Sequence, residues 1–382
     1  MAGARAGGRG MRGDVGITND AGLWDASLPD ASALDSSLGP PPEELEAFVQ
    51  YQMELGGIPG LAAGIIKDDA RIWTGTFGFA DLEAGMPVTA DTLFMVASVS
   101  KTITQVPILQ EVEAGLLDLD APITDYLPYP IVHPLDPGAP ITARQLLTHS
   151  SGLADDWLSL SALSSVGDPT IGLRAASEGY VTPGGEFYAE GNFGAAPGTR
   201  WDYCNAGFMI LGDLAEAVGA SSLREQLRLG LFEPLGMSSS GFFLADIDVS
   251  RLAMPYAYNR RGYTPLGHPG FGHYPAASLR TSLNDLSRFL RAHMRGGELD
   301  GAVILEPATL MELWTPQVPA LSTNQGLTWR RRSIGGVTYF GHSGSAAGVS
   351  AEMLFRPEDA VGIVMLTNSD AFLRTLFGSP EG

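Results

Sequence analysis

The chain has 382 residues, enough for one large domain or two closely packed ones, and its apolar content of 45% is that of a folded globular protein. A formal net charge of -20 argues against nucleic acid and against docking on anionic lipid, because both call for a basic surface. A single cysteine, Cys204, excludes an intrachain disulfide and a cysteine-based zinc site, and the six histidines show no HExxH or other paired spacing, so no metal or other cofactor is expected.

Residues 1–42 are rich in Gly, Ala, Ser, Asp and Pro and read as a disordered leader. Arg5, Arg9 and Arg12 are not followed by an apolar stretch, so no export signal is visible. The sequence as written reads as cytoplasmic, or as periplasmic or secreted if the leader follows a missing export signal. No run of about 18 apolar residues occurs, and no membrane span is expected.

Folded structure is expected from 43 to 382. Helical spacing of Leu45, Phe48, Val49 and Met53 predicts a helix over 43–55, ended by Gly56-Gly57. Strands follow over 61–67 and 71–79, joined at Asp68-Asp69 as an antiparallel hairpin. A helix over 98–113 is closed by Gly115 and bent at Pro107. Proline-rich loops then separate shorter helices over 143–147 and 205–218. Ser282-Leu283-Asn284-Asp285 reads as a capping box opening a helix to Met294. Strands return at 327–332, 337–341, 348–356 and 360–367, before a short closing helix over 371–378. The implied class is α/β (α+β): one antiparallel sheet built from both chain ends (about 43–120 and 270–382) flanked by helices, with a mainly helical lobe over about 121–269.

Only two of the 23 basic residues are lysine, Lys67 and Lys101, and Lys101 follows Ser98 by three positions. Arginine cannot give up its proton in a protein, whereas a desolvated lysine can. A separation of three puts both side chains on one helix face with Cβ atoms about 5–6 Å apart, so Lys101 is placed to take the serine proton. The serine's own N–H would lie among the unpaired donors of the first helical turn, where an oxyanion can be held. Tyr203-Cys204-Asn205 offers a phenol that a neighbouring ammonium could make more acidic, and an amide to point at substrate. His342-Ser343-Gly344-Ser345 offers a glycine where substrate approaches backbone, and the Ser345 N–H as a second oxyanion donor.

Taken in order, these three motifs resemble those of the serine hydrolase family that includes class C β-lactamases, DD-carboxypeptidases, D-aminopeptidases and β-lactamase-like esterases. The resemblance runs from about Pro41 to Asn368 and takes in Leu117–Pro122, Leu146–Leu153 and Pro234–Met237. It implies a β-lactamase/transpeptidase-like fold. It also implies Ser98 as the acylated nucleophile, Lys101 and Tyr203 sharing acid and base work, and an oxyanion hole from the N–H groups of Ser98 and Ser345. Asn205, His342 and Gly344 would contact a small ester, amide, peptide or lactam substrate, and His149 would be structural. Where β-lactamases usually carry lysine this chain has His342, which favours an esterase, amidase or peptidase over a β-lactamase or DD-carboxypeptidase. Gly341–Ser345 also lies one residue from the G-x-S-x-G elbow of α/β-hydrolases, but no histidine follows His342 to complete that triad. An acyltransferase or a non-catalytic scaffold on the same fold is the alternative of another class. The oligomeric state is left open.

Overall fold

A computed structural model describes residues 42–259 and 261–370. The leader, apart from Pro42, and the closing helix expected over 371–378 lie outside the described residues.

Helix α1, Pro42–Gly56, leads into strands β1, Gly60–Lys67, and β2, Ala70–Asp81. The β1–β2 turn is Asp68-Asp69, with φ of 50° and 83°. Two successive left-handed residues match a type I′ hairpin turn, whose twist suits the flanking strands, and aspartate tolerates that region better than most residues. A short β3, Met86–Pro87, finishes the front end of the sheet. The other strands come from the chain's far end: β4, Arg330–Ile334; β5, Val337–Ala346; β6, Val349–Arg356; and β7, Val361–Thr367. The strand order is β4-β5-β6-β7-β1-β2-β3. The two ends of the chain meet where β1 pairs antiparallel with β7, from Leu61 opposite Thr367 to Lys67 opposite Val361.

Side-chain alternation gives the sheet two apolar faces. Ala62, Ile66, Ala351, Met353, Phe355, Val364 and Leu366 join the main core. Leu61 and Ala63 face the other way and pack with Met53 and Ile58. Helix α2, Ser100–Glu113, runs through the centre of the molecule, with every residue from Ser100 to Leu109 buried. Pro107 does not break it. Around it lie α3, Ala143–Leu147; α4, Leu173–Val181; α5, Asn205–Gly219; the single turn α6, Tyr274–Ala277; and α7, Leu283–Met294. The class is therefore mixed α/β, a large antiparallel sheet flanked by helices. Among the described residues no single helix is long and apolar enough to cross a membrane.

Three details depart from the sequence reading. The helix expected from Ser98 begins at Ser100, after a separate 3-10 turn over Ala97–Val99. The strand expected over 327–332 is displaced to Arg330–Ile334. The reason is Trp329, fully buried against Phe289, His293 and Phe355, with Thr328 at a φ of 63° just before it. That anchoring turn occupies the positions assigned to the strand's start. The capping box at Ser282 is half formed. Ser282 Oγ accepts the Asp285 N–H at 3.1 Å, but the Asp285 carboxylate turns away to the Ser239 N–H and the Ser240 hydroxyl, both at 2.9 Å.

Candidate active site

The candidate nucleophile sits on a strained turn. Ala97, just before Ser98, has a φ of 43°, in the left-handed region that non-glycine residues seldom adopt. The reversal lifts Ser98 out of a buried segment, leaving it half-exposed between Ala97 and Val99. Strand β5 presses on this turn from the side. A Cβ added at Gly344 would lie 2.1 Å from the Val96 carbonyl oxygen and 3.1 Å from the Ser98 nitrogen. The glycine is thus a steric requirement of the strand's approach to the nucleophile, and Ser345 follows it on the same strand.

Lys101 is completely buried. Its Nζ lies 3.1 Å from Ser98 Oγ, 2.7 Å from Asn205 Oδ1 and 2.9 Å from the Ala276 carbonyl oxygen. Burial pushes its pKa down to about 7, opposed chiefly by the negative charge of Asp155. Near neutral pH the side chain is divided between amine and ammonium. The geometry suits the amine well. The Asn205 and Ala276 oxygens can only accept, so they take its two hydrogens and leave the lone pair facing the Ser98 hydroxyl.

Tyr203 stands beside this pair, with Lys101 Nζ 4.8 Å from the ring centroid. Burial pushes the phenol pKa well up, and a hydrogen bond with Ser98 is the leading opposing influence. The sequence suggested a phenol acidified by the lysine. Burial reverses this, because it penalises phenolate and also strips the lysine of part of its charge. Tyr203 keeps its proton at neutral pH and is a donor.

His149 braces the tyrosine. Its own φ is 55°, its Nδ1 accepts the Cys204 N–H at 3.2 Å, and its ring lies against Tyr203 with centroids 4.3 Å apart. The His149 carbonyl also accepts the Asp202 N–H at 2.8 Å. Burial, reinforced by Lys101, His342 and Arg330, holds the imidazole well below its usual pKa. His342 is buried too. Its Nδ1 donates to the Ser343 carbonyl at 2.6 Å, and its pKa falls to about 3, through burial first and Lys101 second. It is a neutral imidazole. A fixed cation at this end of the site is Arg330, opposite Gly341 in the β4–β5 ladder, with its guanidinium 5.1 Å from the Trp201 ring.

Each residue singled out from the sequence thus lies in one place. Ser98 and Lys101 are in contact, Tyr203, Asn205, His342 and Gly344 surround them, and Ser345 follows Gly344 on β5. Asn205 differs in its engagements. Its Oδ1 is taken by Lys101 and its Nδ2 donates to Asp155 Oδ2 at 2.7 Å, leaving one amide hydrogen for substrate. Asp155 itself, the Ala276 carbonyl and Arg330 were missed. Asp155 sits just beyond the Leu146–Leu153 stretch, which was its nearest signal. The other two had none. Among the described residues no group of three or more His, Cys, Asp or Glu is placed to hold a metal ion.

A beta-lactamase family model matches residues 45–376. The chain belongs to the beta-lactamase family. It is 27% identical over 339 residues to penicillin-binding protein 4 of Amycolatopsis lactamdurans, covering 84% of each chain. Against esterase EstB of Burkholderia gladioli it is 34% identical over 240 residues, covering 60% of this chain and 58% of that one. Among solved structures it is similar to the octameric penicillin-binding protein homologue from Pyrococcus abyssi, with a TM-score of 0.73 and 27% identity over 86% of this chain and 74% of that one. The chain is accordingly a β-lactamase-like serine hydrolase, a family that acts on small ester, amide or lactam substrates.

Proposed function

We propose that this hydrolase forms its acyl-enzyme on Ser98 and is an esterase or amidase rather than a β-lactamase. The observation that carries the type is His342. It is a buried, neutral imidazole where a β-lactamase-like site would use a lysine, so this strand position offers no ammonium to a substrate carboxylate. Similarity to an esterase over 60% of the chain supports the same reading.

In the acylation step the Ser98 hydroxyl passes its proton to the Lys101 amine as Oγ bonds to the substrate carbonyl carbon. The carbonyl electron pair moves to oxygen, and the N–H groups of Ser98 and Ser345 hold the oxyanion. When the carbonyl re-forms, the bond to the leaving group breaks. The leaving alcohol or amine takes a proton from Tyr203, and the Lys101 ammonium restores the phenol. Water then repeats the sequence, with Lys101 as base, and frees the acid.

A second reading, in which the substrate carries a carboxylate as peptides and lactams do, is favoured by Arg330, whose guanidinium could replace the absent lysine. Side-by-side rates on a p-nitrophenyl ester, a D-alanyl anilide and a chromogenic cephalosporin separate the two. Dominance of the ester or anilide is expected, and a rate dominated by the cephalosporin overturns the assignment.

A further inference from the structure

The oxygen atoms of Asp155 collect donors from one short stretch. Asp155 Oδ1 accepts the Asn205 N–H at 2.8 Å, the Ala206 N–H at 3.0 Å and the Cys204 thiol at 3.5 Å. Asp155 Oδ2 accepts the Asn205 side-chain amide at 2.7 Å and its backbone N–H at 3.0 Å. A carboxylate meeting the first unpaired N–H groups of α5 is an ordinary helix-capping arrangement. The side-chain contact adds something a cap does not need. An amide has one donor end and one acceptor end, so fixing the Asn205 NH2 on a carboxylate forces its oxygen the other way, toward Lys101 at 2.7 Å.

We propose that Asp155 is a positioning residue for the proton-handling group, turning the Asn205 amide oxygen onto Lys101 and setting a fixed negative charge behind it. This rests on the reading that Lys101 receives the Ser98 proton. The other groups facing Lys101 leave Asp155 as the charge that matters. From the segment ahead of α5 come Tyr203 and Cys204, whose phenol and thiol are both held in their neutral forms by burial. From the end of α3, the turn before α6 and strand β5 come His149, His273 and His342, all pushed by burial below the range where imidazole carries charge at neutral pH. Arg330 on β4 bears on the Tyr203 side. Without Asp155 the buried amine would have no opposite charge on its Asn205 side, and its ammonium form would lose its main support.

The chain's composition makes the test direct. Protein labelled with 13C at the lysine ε-carbon gives two signals, with Lys67, paired to Asp68 on the surface, as the internal reference. In Asp155→Asn the Lys101 signal should titrate about one pH unit or more lower than in the wild-type chain, with Lys67 unmoved. The acid limb of kcat/KM should shift down with it, while kcat falls more than KM rises. Asp155→Ser, which keeps a capping oxygen but no charge, carries the same expectation if the asparagine variant does not fold. An unchanged Lys101 titration in a folded variant overturns the proposal and leaves Asp155 a cap. Failure of both variants to fold also overturns it. Because the signal needs no turnover, the result stands even if Ser98 proves not to be acylated.

Discussion

Helix α2 carries two buried ionisable groups ten residues apart, and they are solved in opposite ways. Lys101 has an acceptor for every hydrogen it can offer, supplied by a serine, an asparagine and a backbone carbonyl. Glu111, 6% exposed, has no side-chain partner for either oxygen, and burial pushes its pKa up to about 8 with only the nearby Gly219 N–H opposing. Both shifts come from the same desolvation. What differs is that the surroundings of Lys101 are built to tolerate either protonation state, whereas those of Glu111 favour the neutral acid alone. A shifted pKa becomes chemistry only where a partner stands ready to exchange the proton.

The comparison breaks most readily at the nucleophile. Ser98→Ala should cost at least roughly 10^4-fold in kcat and abolish mass addition by a fluorophosphonate, and labelling that survives would remove Ser98 from the reaction. Lys101→Arg keeps a cation that cannot accept a proton. It should cost on the order of 10^2–10^4-fold in kcat in a chain that is still folded by circular dichroism, and near-normal turnover would mean the lysine supplies charge alone. Gly344→Ala forces β5 off the Val96–Ser98 turn, and a displacement of about 1 Å is enough for a loss of roughly 10^2-fold in kcat/KM.

The smallest expected effect is the one that sharpens the contrast. A carboxyl group whose folded pKa is raised contributes stability that is full below its unfolded value of 4.5 and is lost as the pH climbs through about 8. Glu111→Gln should therefore melt progressively higher than the wild-type chain between pH 5 and 9, by a few °C on the order of 1 kcal/mol, with kcat unchanged. Lys101 has the opposite slope. Its lowered pKa makes its contribution improve as the pH rises from about 7 to 10.5. A melting gap for Glu111→Gln that stays flat with pH would show that its carboxyl is not held neutral.

Much of the architecture was legible because it rests on local patterns. The hairpin at Asp68-Asp69, the glycine-closed helix after Ser98 and the terminal strands follow from periodicity and turn chemistry that any window of ten residues displays. Ser98 and Lys101 were legible as a pair for the same reason, since a three-residue separation is local and the 3-10 turn that carries Ser98 still brings the two into contact. Tyr203, Asn205, His342, Gly344 and Ser345 were reached through ordered motifs and the resemblance they carry. The start of β4 was not legible, because burial of Trp329 against Phe289 and Phe355 outweighs the strand pattern of its neighbours.

By itself, then, the sequence determined which residues could do the chemistry and in what order they lie along the chain. Their protonation states follow from the packed fold. Lys101 meets Asn205 across 104 positions and the Ala276 carbonyl across 175, and Asp155 meets Asn205 across 50, separations at which no spacing rule operates. Whether Lys101 is an amine, whether Tyr203 keeps its proton and whether His342 is neutral all depend on how much water the packed chain removes. Desolvation is a property of the assembled interior and of no short stretch of sequence.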